Sequence, residues 1–265
     1  MKQPKPGHMW YFADEAGDPT FYSKRGKLSV GQEGCSPILI LGFIKTTNPE
    51  PIRKAVRKLQ QEVTSDPYFQ NRKSLAQTAI AFHANTDLWE IKYLFFKLIA
   101  TFDIRVQFVV ARKIERIFIE YDKRNQNAFY DHIMSCLFHS ALHRYEHNHV
   151  YFATRGSRKR QAPITAAITN GRARFERYYG VSVNTSLTVQ PQTPSHEPCL
   201  SVIDYMNWAL YQAYVKRDMN YFNTIRHQVS LVADMYDTEK GHNRWYDRGN
   251  PFDIEKTTPL QLVPS

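Results

Sequence analysis

The run Ile38-Leu39-Ile40-Leu41-Gly42-Phe43-Ile44 constrains this chain more than any other segment. It is short, rich in β-branched residues and opened by Ser36-Pro37, which fits a buried strand better than a helix. It is the longest strongly apolar stretch, and it falls far short of the roughly 20 residues that a membrane-spanning helix needs. A membrane protein is therefore not expected.

Around it, hydrophobic periodicity predicts an alternation of strands and helices. Strands are expected over 9–13, 78–83, 104–111, 150–154 and 181–189, with turn chemistry at Glu15-Ala16-Gly17-Asp18-Pro19 after the first. Helices are expected from Asn48-Pro49-Glu50-Pro51 onward, with Ile52, Val56, Leu59 and Val63 on one face, and over 86–101, 127–147, 163–179, 198–216 and 221–234. Residues 1–8 read as a frayed terminus and 241–265 as mostly coil. With no internal repeat or linker, the 265 residues are read as one α/β domain, a mixed sheet flanked by helices. In such a sheet an acid at the end of the first strand and another on a late helix can meet at one edge.

Hydrophobic residues make up 42% of the chain, which excludes wholesale disorder. Lys and Arg number 35 against 25 Asp and Glu, a net charge of +10 that favours a polyanionic partner such as nucleic acid. Cys35, Cys136 and Cys199 are too few and too scattered for a disulfide framework or a zinc site. Asp14, Glu15 and Asp18 interrupt the first segment before an apolar leader forms, so a cytoplasmic location is the expectation.

Three acidic places carry candidate chemistry. Asp14 leaves a buried strand, a costly position unless the carboxylate is paired or holds a cation, and hard oxygen ligands suit Mg²⁺ or Mn²⁺; the alternative is that Asp14 caps a turn and Glu15 is solvated. Asp204 borders the apolar stripe Val202, Ile203, Met206, Ala209, Leu210, where it either completes a metal site or bonds a neighbouring backbone group or Arg. His83, Asp87 and Glu90 fall where a strand gives way to a helix; the helix dipole alone accounts for one acid there. His139, His143 and His147 would share a helical face, but lack the Glu of a metalloprotease helix and read as an aromatic-polar surface. The loop Arg155-Gly156-Ser157-Arg158-Lys159-Arg160 carries four cations in six positions and either presents Arg155, Arg158, Lys159 and Arg160 to phosphates or is simply solvated. No phosphate-cradling glycine loop supports nucleotide-cofactor chemistry.

The opening Phe12-Ala13-Asp14-Glu15-Ala16-Gly17-Asp18 resembles the start of the domain of unknown function 3800 family. Phe82-His83-Ala84-Asn85-Thr86-Asp87, Arg155-Gly156-Ser157 and Asp204-Tyr205-Met206-Asn207-Trp208-Ala209-Leu210 agree with it in order, the last running on into Tyr221-Phe222 and Leu231-Val232-Ala233-Asp234. The resemblance implies a ribonuclease H-like fold and a metal-dependent nuclease, in a family found in mobile-element and phage-defence settings. Such enzymes use several carboxylates to hold divalent ions for attack on a phosphodiester. Asp14 and Asp204 would match the acids of the first strand and final helix, and Glu90 or Asp87 the acid of the intervening helix. The strand ends Ala111-Arg112-Lys113 and Ala153-Thr154-Arg155 carry no acid, which leaves Glu15 as a further candidate or the site sparse or dead.

Overall fold

The run from Ile38 to Ile44 is buried at every position and forms the middle of a seven-stranded sheet. The computed structural model describes residues 4–70, 72–154, 161–237 and 245–260. The strands are β1 (Lys5–Gly17), β2 (Ile38–Thr46), β3 (Arg105–Arg112), β4 (Tyr145–Ala153), β5 (Ser186–Gln192), β6 (Val229–Met235) and β7 (Trp245–Tyr246), in the order β5-β4-β1-β2-β3-β6-β7. β1, β2 and β3 are a consecutive antiparallel meander. β4 joins β1 in parallel, β5 joins β4 in parallel, and β6 joins β3 in parallel. β7 closes the far edge antiparallel to β6.

Side chains alternate across the sheet, so both faces of the central strands are apolar and both are covered. On one face Phe12, Ile38, Ile40, Ile44, Phe108 and Val110 pack beneath α1 (Glu50–Ser65), the short α2 (Leu75–Thr78) and α3 (Trp89–Ile99), together with two helices from late in the chain. On the other, Tyr11, Ala13, Leu39, Leu41, Phe43 and Val109 pack beneath α4 (Glu115–Asp122), α5 (Gln126–Leu137) and α6 (Gln161–Tyr179). α7 (Cys199–Lys216) lies against β1 and β2, and α8 (Asn220–Ile225) follows it. This is a mixed α/β domain, as the order of elements predicts.

Several boundaries differ from expectation, each for a physical reason. β1 begins at Lys5, whose neighbour in β4 is Tyr145, and continues through the predicted turn to Gly17, because β2 supplies partners as far as Leu39. The predicted helix 127–147 stops at Leu137. Phe138, Ala141 and Leu142 keep a helix-like spacing yet sit in turns, buried, with the Tyr11 hydroxyl donating to the Ala141 carbonyl at 2.8 Å. His139 and His143 therefore lie in that turn and His147 in β4, so they share no helical face. The predicted strand 78–83 is absent: Thr78 ends α2, and Ile80 is 68% exposed. The predicted helix 221–234 breaks after Ile225, and Val229 onward pairs with β3, where Val232, Ala233 and Asp234 are buried.

The parallel pairing of β1 with β4 stacks imidazoles. The His8 ring lies 4.7 Å from that of His147 and 5.1 Å from that of His149, and His8 Nδ1 is 2.8 Å from His149 Nε2. Burial, then His8 and His147, push the His149 ring below its ordinary pKa. Burial followed by nearby Arg174 does the same to His132 and His139, and burial followed by Arg144 and Lys45 to His143. A folded pKa below the unfolded value means that the unfolded chain takes up protons first. Stability is thus complete above about 6.5, the ordinary histidine value, and falls as pH drops below it towards the lower folded values. Urea midpoints at pH 7.5 and 5.5 should show the decline, and His149→Gln should shrink it; a flat profile would contradict the assignment.

Candidate active site

Asp14 sits on β1 between Phe12 and Ala16, the two neighbours that pack on the α7 side of the sheet. Its partner in β2 is Gly42. A Cβ at Gly42 would stand 2.3 Å from Asn207 Oδ1, 2.8 Å from Phe108 Cδ1 and 3.1 Å from Ile203 Cδ1. Only glycine lets α7 settle this deeply, and the notch it leaves takes the Ile203–Asn207 turn of the helix. Asp204 belongs to that turn, so β1 and α7 bring Asp14 and Asp204 to one face of the sheet.

The segment following α2 is tied to the same helix. Ser201 Oγ donates to the Phe82 carbonyl at 2.8 Å, and the Ala84 N–H donates to Asp204 Oδ2 at 2.7 Å. Asp87 is buried and accepts from Thr78 Oγ1 at 2.6 Å, from the His83 N–H at 2.7 Å and from Tyr205 Oη at 2.5 Å. Burial and then Asp87 hold the Tyr205 phenol well above its ordinary pKa, so it stays a donor. Asp87 thus organises the loop and leaves its carboxylate facing protein groups. The loop in turn sets His83 beside Asp204, with Nδ1 3.9 Å from Oδ2; the His83 side chain is 57% exposed against 15% for Asp204. Lys92, on α3, packs its ammonium 4.8 Å from the Trp208 ring centre; burial lowers its pKa, while Asp87 and Asp204 oppose that shift.

The remaining expected acids go elsewhere. Glu15 points to the opposite face, where Tyr130 Oη donates to Oε2 at 3.1 Å. Glu90, in the first turn of α3, accepts from Tyr68 Oη at 3.2 Å. Asp18 orders the loop before β2, accepting from the Ser36 N–H at 2.8 Å, the Thr20 N–H at 2.8 Å and the fully buried Lys113 ammonium at 3.1 Å. Arg155, Arg158, Lys159 and Arg160 lie outside the described residues. The strand ends without acids have partners of their own: Arg112 turns to the carboxylates of Asp234 and Asp237, and Lys113 to Asp18.

One residue at the site had no signal in the charge pattern. Asn207 is fully buried, and neither its Oδ1 nor its Nδ2 has a hydrogen-bond partner among the described residues. Buried amides without partners are uncommon and costly, and they occur where a ligand or water completes them. Its only clue in the sequence is its place one turn after Asp204. Among the described residues no group of three or more His, Cys, Asp or Glu is arranged to hold a metal ion. The face carries the carboxylates of Asp14 and Asp204 and an orphaned amide, and oxygen groups of this kind are what Mg²⁺ takes when it keeps several waters. No family model matches the chain, and no curated protein matches it. Among the described residues no helix is long and apolar enough to cross a membrane.

Proposed function

We propose that the chain is a metal-dependent nuclease of ribonuclease H-like fold, hydrolysing phosphodiester bonds in RNA or DNA with Mg²⁺ or Mn²⁺ held by Asp14 and Asp204. The observation that carries this reading is the meeting of β1 and α7 over Gly42, which gives the two carboxylates a common face beside unpartnered Asn207. The fold supports it as well: an antiparallel β1-β2-β3 meander extended by β4 and β5 parallel to β1, with the acids on the first strand and a late helix. The net charge of +10 favours a polyanionic substrate. The resemblance to the domain of unknown function 3800 family points the same way.

A divalent ion supplies a water of lowered pKa and neutralises the leaving oxygen. The chain's own residues do the rest. Asp14 and Asp204 provide hard anionic oxygens, and Asn207 adds a neutral one. The Ala84 N–H orients Asp204 through its hydrogen bond to Oδ2. His83, exposed and next to Asp204, is placed to pass a proton to or from solvent.

The purified chain should cleave at least one of single- and double-stranded RNA and DNA with Mg²⁺ or Mn²⁺, and chelator should stop it. No cleavage on any of the four, or cleavage that survives chelator, sinks the reading. A second reading, a nucleic-acid-binding protein without catalysis, draws on the placement of Glu15, Asp87 and Glu90, which leaves the acid set short. Binding of the same substrates with no turnover selects it.

A further inference from the structure

The four adjacent strands β4, β1, β2 and β3 share one end of the sheet, and each brings a cation or a basic turn to it. Lys5 opens β1, Lys45 stands near the end of β2, Arg105 opens β3, and His143 and Arg144 precede β4. Together they line a cleft of about 580 Å³. Lys45 alternates with Phe43 and Leu41 and so belongs to the face covered by α5 and α6, opposite Asp14. The cleft is therefore separate from the acidic site.

Among the described residues no acid pairs with its cations, and only Arg105 has a protein partner, its Nη1 donating to the His227 carbonyl at 3.2 Å. Among the described residues, the side chains of Lys5, Lys45 and Arg144 make no hydrogen bond or ion pair, and the single acid at the rim, exposed Asp103, forms no ion pair with them. Lys45 is only partly exposed, so water does not fully replace the missing partner. Burial, then Arg144 and Arg105, push its ammonium down to about 8, which still leaves it largely charged at neutral pH. His143 adds a second unfulfilled group. Its ring is held 4.5 Å from that of Phe175, and its buried Nδ1 has no partner among the described residues. A solvated basic surface would show neither a half-buried ammonium beside two like charges nor an orphaned ring nitrogen. The ammonium is what an oxyanion would complete, since charge-assisted hydrogen bonds from Lys and Arg are among the strongest that a protein makes, and the His143 ring walls the cleft beside it.

We propose that the cleft lined by Lys5, Lys45, Arg105, His143 and Arg144 binds a phosphate group, that of a nucleotide or of a nucleic-acid backbone. Lys45 supplies the central charge, exposed Arg144 closes over the anion from the turn before β4, and Arg105 and Lys5 flank it.

The test is calorimetric titration of the full chain at pH 7 with inorganic phosphate, with sodium chloride at matched ionic strength as the control. Saturable phosphate binding is expected, weaker by about tenfold or more in Lys45→Met and in Arg144→Gln, each of which removes a charge-assisted contact. Arg144 is exposed, so its variant keeps the fold even if Lys45→Met does not; unfolding curves run beside each titration verify this. A phosphate response equal to that of chloride, or unchanged affinity in both variants, overturns the proposal. Competition then identifies the source. Displacement by a ten-nucleotide strand without terminal phosphate marks a backbone, and displacement by a nucleoside monophosphate alone marks a nucleotide; either supports the site. Asp14→Asn should bind phosphate here as the wild type does, so this result and the hydrolysis result stand or fall separately.

Discussion

Replacing Asp14 by Asn should lower metal-dependent hydrolysis by more than about 100-fold, the upper end of what loss of an outer partner of a metal ligand costs. The side chain keeps its shape but loses the anionic oxygen that β1 presents beside α7. Asp204→Asn should behave alike, since its amide oxygen can still accept from the Ala84 N–H while the charge is gone. Glu15→Gln and Glu90→Gln remove carboxylates that face Tyr130 and Tyr68, and each should stay within about threefold of wild type, an effect below 1 kcal/mol. Rates at saturating Mn²⁺, with melting curves for each protein, make the comparison. Full activity in Asp14→Asn, or a loss confined to Glu15→Gln, would move the site to the other face of the sheet.

Arg112→Met should cost about 3–5 kcal/mol of stability, the usual result of breaking a buried ion pair from one side. Arg112 Nε and Nη2 donate to the two oxygens of Asp234 at 3.0 and 2.9 Å, Nη2 donates to Asp237 at 2.8 Å, and Nη1 donates to the Thr258 carbonyl at 2.8 Å. Asp234 is wholly buried, with Tyr214 Oη as its remaining donor at 2.8 Å. Without the guanidinium, two carboxylates remain in the interior without a counter-charge. For a chain of this length the loss corresponds to a melting temperature lower by roughly 6–10 °C. Adding Asp234→Asn to Arg112→Met removes one of the stranded charges and should recover part of the loss. A double variant less stable than Arg112→Met would show that the pairing is not what holds this end of the sheet.

How much of this was legible depends on where the signal lies along the chain. The run 38–44 announces its strand because both its faces are covered, so every position is apolar. Asp14 and Asp204 are legible because a carboxylate at the end of an apolar strand, or on the rim of an apolar helical stripe, is an expensive placement. Asn207 is silent: a neutral amide within a helix carries no periodic or charge signal, and its meaning comes from Gly42, far away in sequence. The fate of Arg112 is equally hidden, since its partners, Asp234 on the next strand of the sheet and Asp237 just past that strand's end, lie more than a hundred residues onward. The overrun of the helix past Leu137 has a different cause. Phe138, Ala141 and Leu142 are apolar at helical intervals because a buried turn needs apolar residues too, and periodicity alone does not separate the two. The strand β6 is hidden because α8 supplies helical spacing immediately before it.

The strand order also sets a timetable for the ribosome. β1, β2 and β3 can pair with one another as soon as they emerge, but the outer edge of β1 waits for β4 and that of β3 waits for β6. Between the end of β3 and the end of β4 lie roughly 40 residues, about 2–8 s of elongation at ordinary rates. Throughout that interval the nascent chain carries a three-stranded ribbon with two open hydrogen-bonding edges and apolar side chains on both faces, a template for pairing with neighbouring chains. Yield of the intact protein should therefore respond to translation speed and chaperone supply more sharply than its final stability would suggest.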